Sequence, residues 1–193
     1  MTTMTRIKWT FSGIALASLV ACSGGGNPPN NPPATATRLD YANPTSGTYM
    51  LVKDATSTPT HLVLNLMGPA GTLTTGVGFI LSADSSKVAW SKPASADTIL
   101  AHNNLFDLGT APQLAVAKSS GNQLQVGFYQ KGTTKPVVTL TATSILASVA
   151  VDLNPNVPLG AVTFSAISGK AVVTNGSATP AAIAINIGTL TAN

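Results

Sequence analysis

The sequence predicts an all-β protein that folds as an antiparallel β-sandwich, preceded by a signal peptide and a flexible linker. From Thr48 onward, short runs alternate apolar and polar residues, as expected for strands with one buried face. Val, Ile and Thr are frequent in these runs, and turn residues separate them about every 8–12 residues. Helical patterns are scarce. We therefore expect two packed sheets rather than a helical or mixed fold.

The first 21 residues have the layout of an export signal. Arg6 and Lys8 form a basic start, and an apolar stretch follows from Trp9 to Val20. This stretch is too short to cross a bilayer, which requires about 20 residues in a helix. Leu19-Val20-Ala21-Cys22 ends it, and this tetrapeptide resembles the lipobox of bacterial lipoproteins.

The lipobox resemblance implies a lipid anchor on Cys22. In lipoproteins the cysteine sulfur receives diacylglycerol, the signal is cut just before this cysteine, and the new amino group usually receives an acyl chain such as palmitate. Two or more acyl chains anchor a protein stably. Ser23 follows Cys22, and in the enterobacterial pattern a residue other than Asp at this position disfavours retention in the inner membrane. We therefore expect a lipid-anchored protein of the bacterial cell envelope, at the outer membrane or cell surface.

Residues 22–38 read as a flexible linker, and residues 39–193 as the sandwich domain. The strip SGGGNPPNNPPATATR carries almost no apolar group for a core. Its glycines are flexible and its proline pairs favour extended polyproline II structure. The linker would hold the domain away from the membrane.

Composition excludes several classes of protein. Charged residues are 8% of the chain, against about 25% in typical proteins, while 44% of residues are hydrophobic, which argues against disorder. The single cysteine leaves no disulfide once it is lipidated. The net charge is +4, but the basic residues are scattered without a stripe to follow a phosphate backbone. We expect no nucleic-acid partner.

Several strands can be placed within the domain. HLVLNLM puts Leu62, Leu64 and Leu66 on one face. QLAVAK and QLQVGFYQ flank a turn at residues 119–122 and read as a hairpin. PVVTLTATSILASVAVDL is too long for one strand and is expected to bend or divide near residues 143–146. Asn-Gly at 175–176 is a strong turn signal.

Three stretches of this domain resemble the cohesin family. They are GVGFILSADSSKVAW, NNLFDLGTAPQLAVAKSSGNQLQVGFYQKG and VVTLTATSILASVAVDLNPNVPLGAVTFSAISGKAVVTNG. The likeness covers roughly residues 46–190, and its motifs are mostly structural. It implies a jelly-roll sandwich related to carbohydrate-binding modules, with a protein partner of the dockerin class. This chain lacks a dockerin companion, so the resemblance does not identify the specific partner.

No catalytic, cofactor or metal site is expected. The six acidic residues are all Asp and are dispersed, mostly in turn contexts where Asp caps its own backbone. His61 and His102 lack Cys, Glu or His at ligand spacing. His61 is interpreted as a solvated side chain. No G-x-S-x-G nucleophile motif occurs. The sequence therefore predicts a binding protein rather than an enzyme.

The strand QLQVGFYQ supplies the candidate binding face. Its even positions are expected to point inward, at Leu124, Val126 and Phe128. Its outward positions then form the candidate face, consisting of Gln123, Gln125 and Tyr129. Trp90 is expected to pack in or beside the core. Two functions stay open: a module for protein–protein interaction or surface assembly, and a carbohydrate (polysaccharide) binding module. The scarcity of aromatic residues, 5% of the chain, favours the first.

Overall fold

The computed structural model describes residues 32–103, 105–109, 115–130, 136–176 and 179–193. The chain divides into two units, Met1–Pro32 and Pro33–Asn193. The predicted signal peptide, Cys22 and most of the predicted linker lie outside the described residues.

The second unit is built from strands. The described residues contain no helix, and hence none that is long and apolar enough to cross a membrane. The strands are β1 (Leu39–Ala42), β2 (Tyr49–Lys53), β3 (His61–Met67), β4 (Leu73–Thr74), β5 (Gly76–Ala83), β6 (Val88–Ser91), β7 (Ala101–His102), β8 (Ala115–Ser120), β9 (Gln123–Tyr129), β10 (Val138–Thr139), β11 (Ile145–Leu153), β12 (Gly160–Val162), β13 (Phe164–Ala166), β14 (Val172–Thr174), β15 (Ala181–Ala182), β16 (Ile185–Asn186) and β17 (Thr189–Ala192).

Two larger sheets form the sandwich. Sheet I has the order β16-β2-β3-β11-β6, with β7 also paired to β11. Sheet II has the order β15-β14-β5-β9-β8, with β13 also paired to β5. Two small sheets, β1-β17-β12 and β10-β4, complete the unit. All described pairs are antiparallel except β16 with β2. The predicted antiparallel β-sandwich is confirmed.

One hydrophobic core joins the inward faces of both sheets. Leu62, Leu64 and Leu66 of β3 are fully buried on one side, as the alternation predicts. Leu81 of β5 and Leu124 of β9 are fully buried in the same cluster. Burying a side chain of this size stabilises a fold by about 1.5–3 kcal/mol. Since no disulfide joins the described residues, packing and backbone hydrogen bonds hold the sandwich together.

The long run after residue 136 divides as predicted. Strand β10 ends at Thr139, and β11 begins at Ile145. The Ser144 N–H donates to the Thr141 carbonyl between them, and the Ser144 hydroxyl accepts from the Thr141 N–H. The register of β11 against β3 then shifts between Ile145 and Ala147. A bulge of this kind bends a strand and re-aims its side chains.

Residues 35–38, which the sequence places at the end of the linker, are hydrogen-bonded to the sandwich. The Ala36 N–H donates to the Val157 carbonyl at 2.7 Å, and the Arg38 N–H donates to the Asn193 carbonyl at 2.8 Å. Ala36 is buried in the core cluster. Thr35 forms an isolated bridge with Pro158. These last residues of the predicted linker are therefore part of the folded sandwich.

Candidate binding face

The alternation of β9 decides which side chains reach the outer face of sheet II. Leu124, Val126 and Phe128 are 0, 2 and 1 % exposed. Gln123 and Gln125 are exposed on the opposite side of the same strand. This is the orientation that the sequence predicts, so the candidate residues do share one outward face. Their role in binding stays a prediction.

The centre of this face is a row of small residues. Four residues form one row across neighbouring strands, in the order Val116 of β8, Gly127 of β9, Gly78 of β5 and Val172 of β14. Residues paired across neighbouring strands point to the same side of a sheet. The two glycines therefore form a low floor, and the two valines stand at its ends.

Tyr129 lies over this floor. A methyl group added at Gly127 would come within 3.1 Å of the Tyr129 ring, and one added at Gly76 or Gly78 would overlap the ring or its hydroxyl. Aromatic side chains often cover glycines on a sheet in this way. The ring is consequently half-buried, and this burial raises the pKa of the Tyr129 phenol. Sequence reasoning placed Tyr129 as a surface side chain and did not foresee its packing on glycines.

A groove of about 400 Å³ runs along the same surface. Its lining includes Ile80, Val116, Gln125, Tyr129, Lys170 and Val172. Val116 is 36 % exposed, although it is a large apolar residue. The groove thus has apolar walls, an aromatic side chain, and one amide and one ammonium group. Such a surface can take an apolar side chain and hydrogen-bond the polar groups around it.

The outer face of sheet I is different because chain segments cover it. Asn65 and Ser148 point outward from β3 and β11, yet they are 8 and 5 % exposed. The Ser148 hydroxyl donates to Asn65 Oδ1 at 2.6 Å, and Asn65 Nδ2 donates to Asp54 Oδ2 at 2.5 Å. The Ser57 hydroxyl accepts from the Val63 N–H at 3.0 Å. These contacts tie the segment after β2 onto the sheet.

Asp54 is the central acceptor of this covered face. Its Oδ1 accepts from the Thr56 hydroxyl at 2.6 Å and from the Thr56 N–H at 2.8 Å. These hydrogen bonds, together with the one from Asn65, favour the carboxylate and lower the pKa of Asp54. A small cavity of about 170 Å³ lies between Asp54, Asn65 and Pro93. Asp54, Asn65 and Ser148 bond to one another beside this cavity and hold the loop on the sheet.

A second polar cluster on sheet I was not predicted. His61 and Asp152 are paired across β3 and β11, with His61 Nδ1 2.5 Å from Asp152 Oδ1. The Ser91 hydroxyl donates to the same Asp152 oxygen at 3.0 Å and lies 3.4 Å from the same His61 nitrogen. His61 is therefore a paired residue rather than the solvated one expected. The partners lie 91 residues apart, so only strand pairing reveals the contact.

This cluster does not have the geometry of a hydrolase triad. In a Ser-His-Asp triad the serine and the aspartate contact different nitrogens of the imidazole ring. Here Ser91 and Asp152 both approach Nδ1 of His61. His102 forms a separate pair with Asp97. Among the described residues, no group of three or more His, Cys, Asp or Glu side chains could hold a metal ion.

Trp90 closes one edge of the sandwich. Its ring centroid lies 5.8 Å from that of Phe164, with the planes tilted by 45°. Its indole N–H donates to the Asn122 carbonyl at 3.3 Å, in the turn between β8 and β9. The ring is partly buried against the core cluster. Trp90 thus packs beside the core, as the sequence predicts, and joins the edge of sheet I to sheet II.

Comparison with known proteins rests on structure. No protein-family model matches the sequence. No curated protein matches it significantly either.

Solved structures do match. The complex of CaCohA2 with a variant of CaDoc0917 matches with a TM-score of 0.56 and 14% identity, covering 74% of this chain and 98% of the other. The solution structure of CaCohA2 from Clostridium acetobutylicum matches with a TM-score of 0.53 and 12% identity, covering 80% and 90%. At this identity the likeness concerns the fold alone, and residues 33–193 have the β-sandwich fold of a cohesin domain.

Proposed function

We propose that this chain is a lipid-anchored module of the bacterial cell envelope that holds a partner protein on the outer face of sheet II. One observation carries the proposal: the groove over Gly78 and Gly127 is open, whereas chain segments cover the outer face of sheet I. Exposed apolar residues beside a half-buried tyrosine are typical of protein interfaces. We propose a binding role without catalysis, because the polar clusters bond internally.

The structural neighbours favour a protein partner. One of them is a complex of CaCohA2 with a CaDoc0917 variant, and it shares the fold of this chain. Polysaccharide binding has less support. Two of the described aromatic residues line the groove. Phe79 is buried in the core, and Tyr129 is partly exposed. The Trp90 indole packs on Phe164 and donates to Asn122. Sugar platforms ordinarily present several aromatic faces to the ligand.

The partner proposal can be tested by capture from a cell-envelope extract. Residues 22–193 carrying Cys22→Ser, which prevents lipidation, are immobilised as bait. A groove variant replaces Ile80 and Val116 with Asn, which removes two apolar walls without changing the charge. A control variant, Ala89→Asn, changes an exposed position on β6 of sheet I. We expect a protein that the parent and control retain and the groove variant loses.

Two results would contradict this proposal. The first is a retained protein whose capture does not change in the groove variant, since that protein would bind elsewhere. The second is retention of an insoluble envelope polysaccharide, lost in the groove variant, with no groove-dependent protein. That outcome would favour the carbohydrate function.

The anchor proposal rests on the basic start, the short apolar run and Leu19-Val20-Ala21-Cys22. We expect the full chain to be cleaved before Cys22 and to incorporate labelled palmitate in a bacterial host. Cys22→Ser removes the sulfur that accepts diacylglycerol, so the precursor should stay uncleaved and unlabelled. Gel mobility and metabolic labelling measure both effects. Normal processing and membrane fractionation of Cys22→Ser would refute the anchor.

A further inference from the structure

We propose that the partner on sheet II presents an acidic surface, with carboxylates that pair with Lys118 and Lys170 and an apolar side chain that packs in the groove between them. This inference rests on the proposed function and adds the chemistry of the partner. It follows from the order of side chains across the outer face of the sheet.

The two lysines lie at opposite sides of the groove. Lys118 of β8 pairs with Gln125 of β9, which pairs with Ile80 of β5, so these three residues form one row on the outer face. Lys170, just before β14, lines the groove together with Ile80 and Val172. Neighbouring strands are about 4.8 Å apart, so the three steps from β8 to β14 span roughly 14 Å. Two cations therefore flank the amide and apolar groups of this row.

No acidic residue balances these cations within the sheet. The chain has six acidic residues, all Asp, and none lies in a strand of sheet II. The Asp nearest in sequence to a strand of sheet II is Asp84, which directly follows β5. Its Oδ1 accepts from the Ser86 N–H and hydroxyl. Within the part of the chain that the structure describes, neither Lys118 nor Lys170 forms an ion pair. The face is thus cationic as well as apolar.

The other outward side chains that the structure describes on this face are neutral, so Lys118 and Lys170 supply its described charge. On the far side of the lysine row, Gln123 and Ser82 are paired on β9 and β5. On the near side are Val116, Val172 and the Tyr129 ring. Partners of cationic faces carry the opposite charge, because complementary potentials steer association and exclude like-charged competitors. A basic partner would meet both lysines at close range.

The spacing of the two lysines also restricts the distance between the partner's carboxylates. Carboxylates about 10–15 Å apart can reach both ammonium groups, and one helix supplies them from positions about seven to ten residues apart. An apolar residue midway between them would face Ile80 and the adjoining groove between Val116 and Val172. The two lysines that the structure describes on this face are fewer than the four to eight basic residues typical of anionic-lipid sites. The face therefore fits an acidic protein better than a lipid surface.

The experiment uses the proteins that the parent chain retains and the groove variant loses. A water-soluble carbodiimide joins a lysine amine to a carboxylate in contact with it, with loss of water, and leaves no spacer. We expect peptide mass spectrometry to find Lys118 and Lys170 joined to Asp or Glu of the retained protein. Lys53 and Lys92, which are exposed and lie outside sheet II, serve as controls and should not be joined.

Charge reversal provides the second measurement. Lys118→Glu with Lys170→Glu should weaken binding at least tenfold, and Lys53→Glu with Lys92→Glu should leave it within twofold. Replacing the cross-linked carboxylates of the retained protein with Lys should restore binding to the Lys118→Glu/Lys170→Glu chain. Affinity for the parent chain should fall as NaCl rises from 50 to 500 mM, since salt screens exposed charges.

Three other outcomes would overturn the acidic-partner proposal, and each can be told apart from the others. A groove-dependent protein that binds the Lys118→Glu/Lys170→Glu chain as tightly as the parent leaves the proposed function standing and refutes the acidic partner. The absence of any groove-dependent protein refutes both. Lysine-dependent binding to vesicles of phosphatidylserine and phosphatidylcholine, without a protein cross-link, assigns the face to a membrane surface instead.

Discussion

The outer faces of the two sheets start from similar strands and reach opposite outcomes. On sheet I the outward residues Asn65 and Ser148 are buried, because Asp54 and its loop bond to them. On sheet II, one outward row has Gly78 and Gly127 in its middle and Val116 and Val172 at its ends. A groove stays open above this row. Polar groups that find partners within the chain are unavailable to a ligand. We therefore propose the open face as the one that binds the partner.

The two outer faces also use their polar and aromatic side chains differently. On the covered face, a carboxylate holds a loop and a buried amide in place. On the open face, the Tyr129 ring fills the space above Gly76, Gly78 and Gly127 without sealing the groove. Substitutions on the covered face should change stability, and substitutions on the open face should mainly change binding. The following predictions test this contrast.

The largest expected effect comes from the core that both faces share. Phe128 is fully buried beneath the open face, next to Tyr129. Phe128→Ala should lower the free energy of unfolding by about 3–5 kcal/mol through the cavity it leaves. Urea unfolding of residues 22–193 with Cys22→Ser measures this value. A loss smaller than that of Tyr129→Ala would mean that the register of β9 is off by one.

The covered face should show an intermediate effect on stability. Asp54→Ala leaves the buried Asn65 amide without its acceptor, which costs about 1–3 kcal/mol. Asp84→Ala is the matched control, because Asp84 also caps its own turn through Ser86 but has no buried amide partner in the described residues. Equal losses in the two variants would show that the covered face adds nothing beyond turn capping.

The same carboxylate predicts a dependence on pH. The pKa of Asp54 is lower in the folded chain than its ordinary value of 3.8, so its contribution is fully present above that value. The contribution is lost as pH falls through the lowered pKa. The stability difference between the parent and Asp54→Ala should therefore shrink under strongly acidic conditions, as urea midpoints at about pH 7 and about pH 2–3 can measure. A constant difference would contradict the assignment.

The smallest effect on stability is expected at the open face. Tyr129→Ala removes the ring from three glycines, and contacts of this kind on a sheet contribute about 0.2–1 kcal/mol. The affinity for the retained protein should nevertheless fall by about 1–2 kcal/mol, or roughly tenfold. Tyr129→Phe keeps the ring and should retain the stability. If Tyr129→Ala destabilises the chain strongly and leaves affinity unchanged, the open face is structural too.

Local sequence patterns were enough to predict the fold class and the direction of the side chains in the main strands. Alternation in HLVLNLM and QLQVGFYQ is local, because successive residues of a strand point to opposite faces whatever the partner strand. Hence the inward leucines of β3 and the outward Gln123 and Gln125 were predictable. The division of the run before β11 was predictable as well, from its length.

Which outer face is open could be learned only from the folded chain. The pairing of His61 with Asp152, the bond from Asn65 to Asp54 and the placement of Tyr129 over Gly78 each depend on strand register. Register joins residues far apart in the chain, and no local pattern encodes which segments meet. Strand alternation shows that a side chain leaves the core, whereas the neighbouring loops and strands decide whether it then reaches solvent.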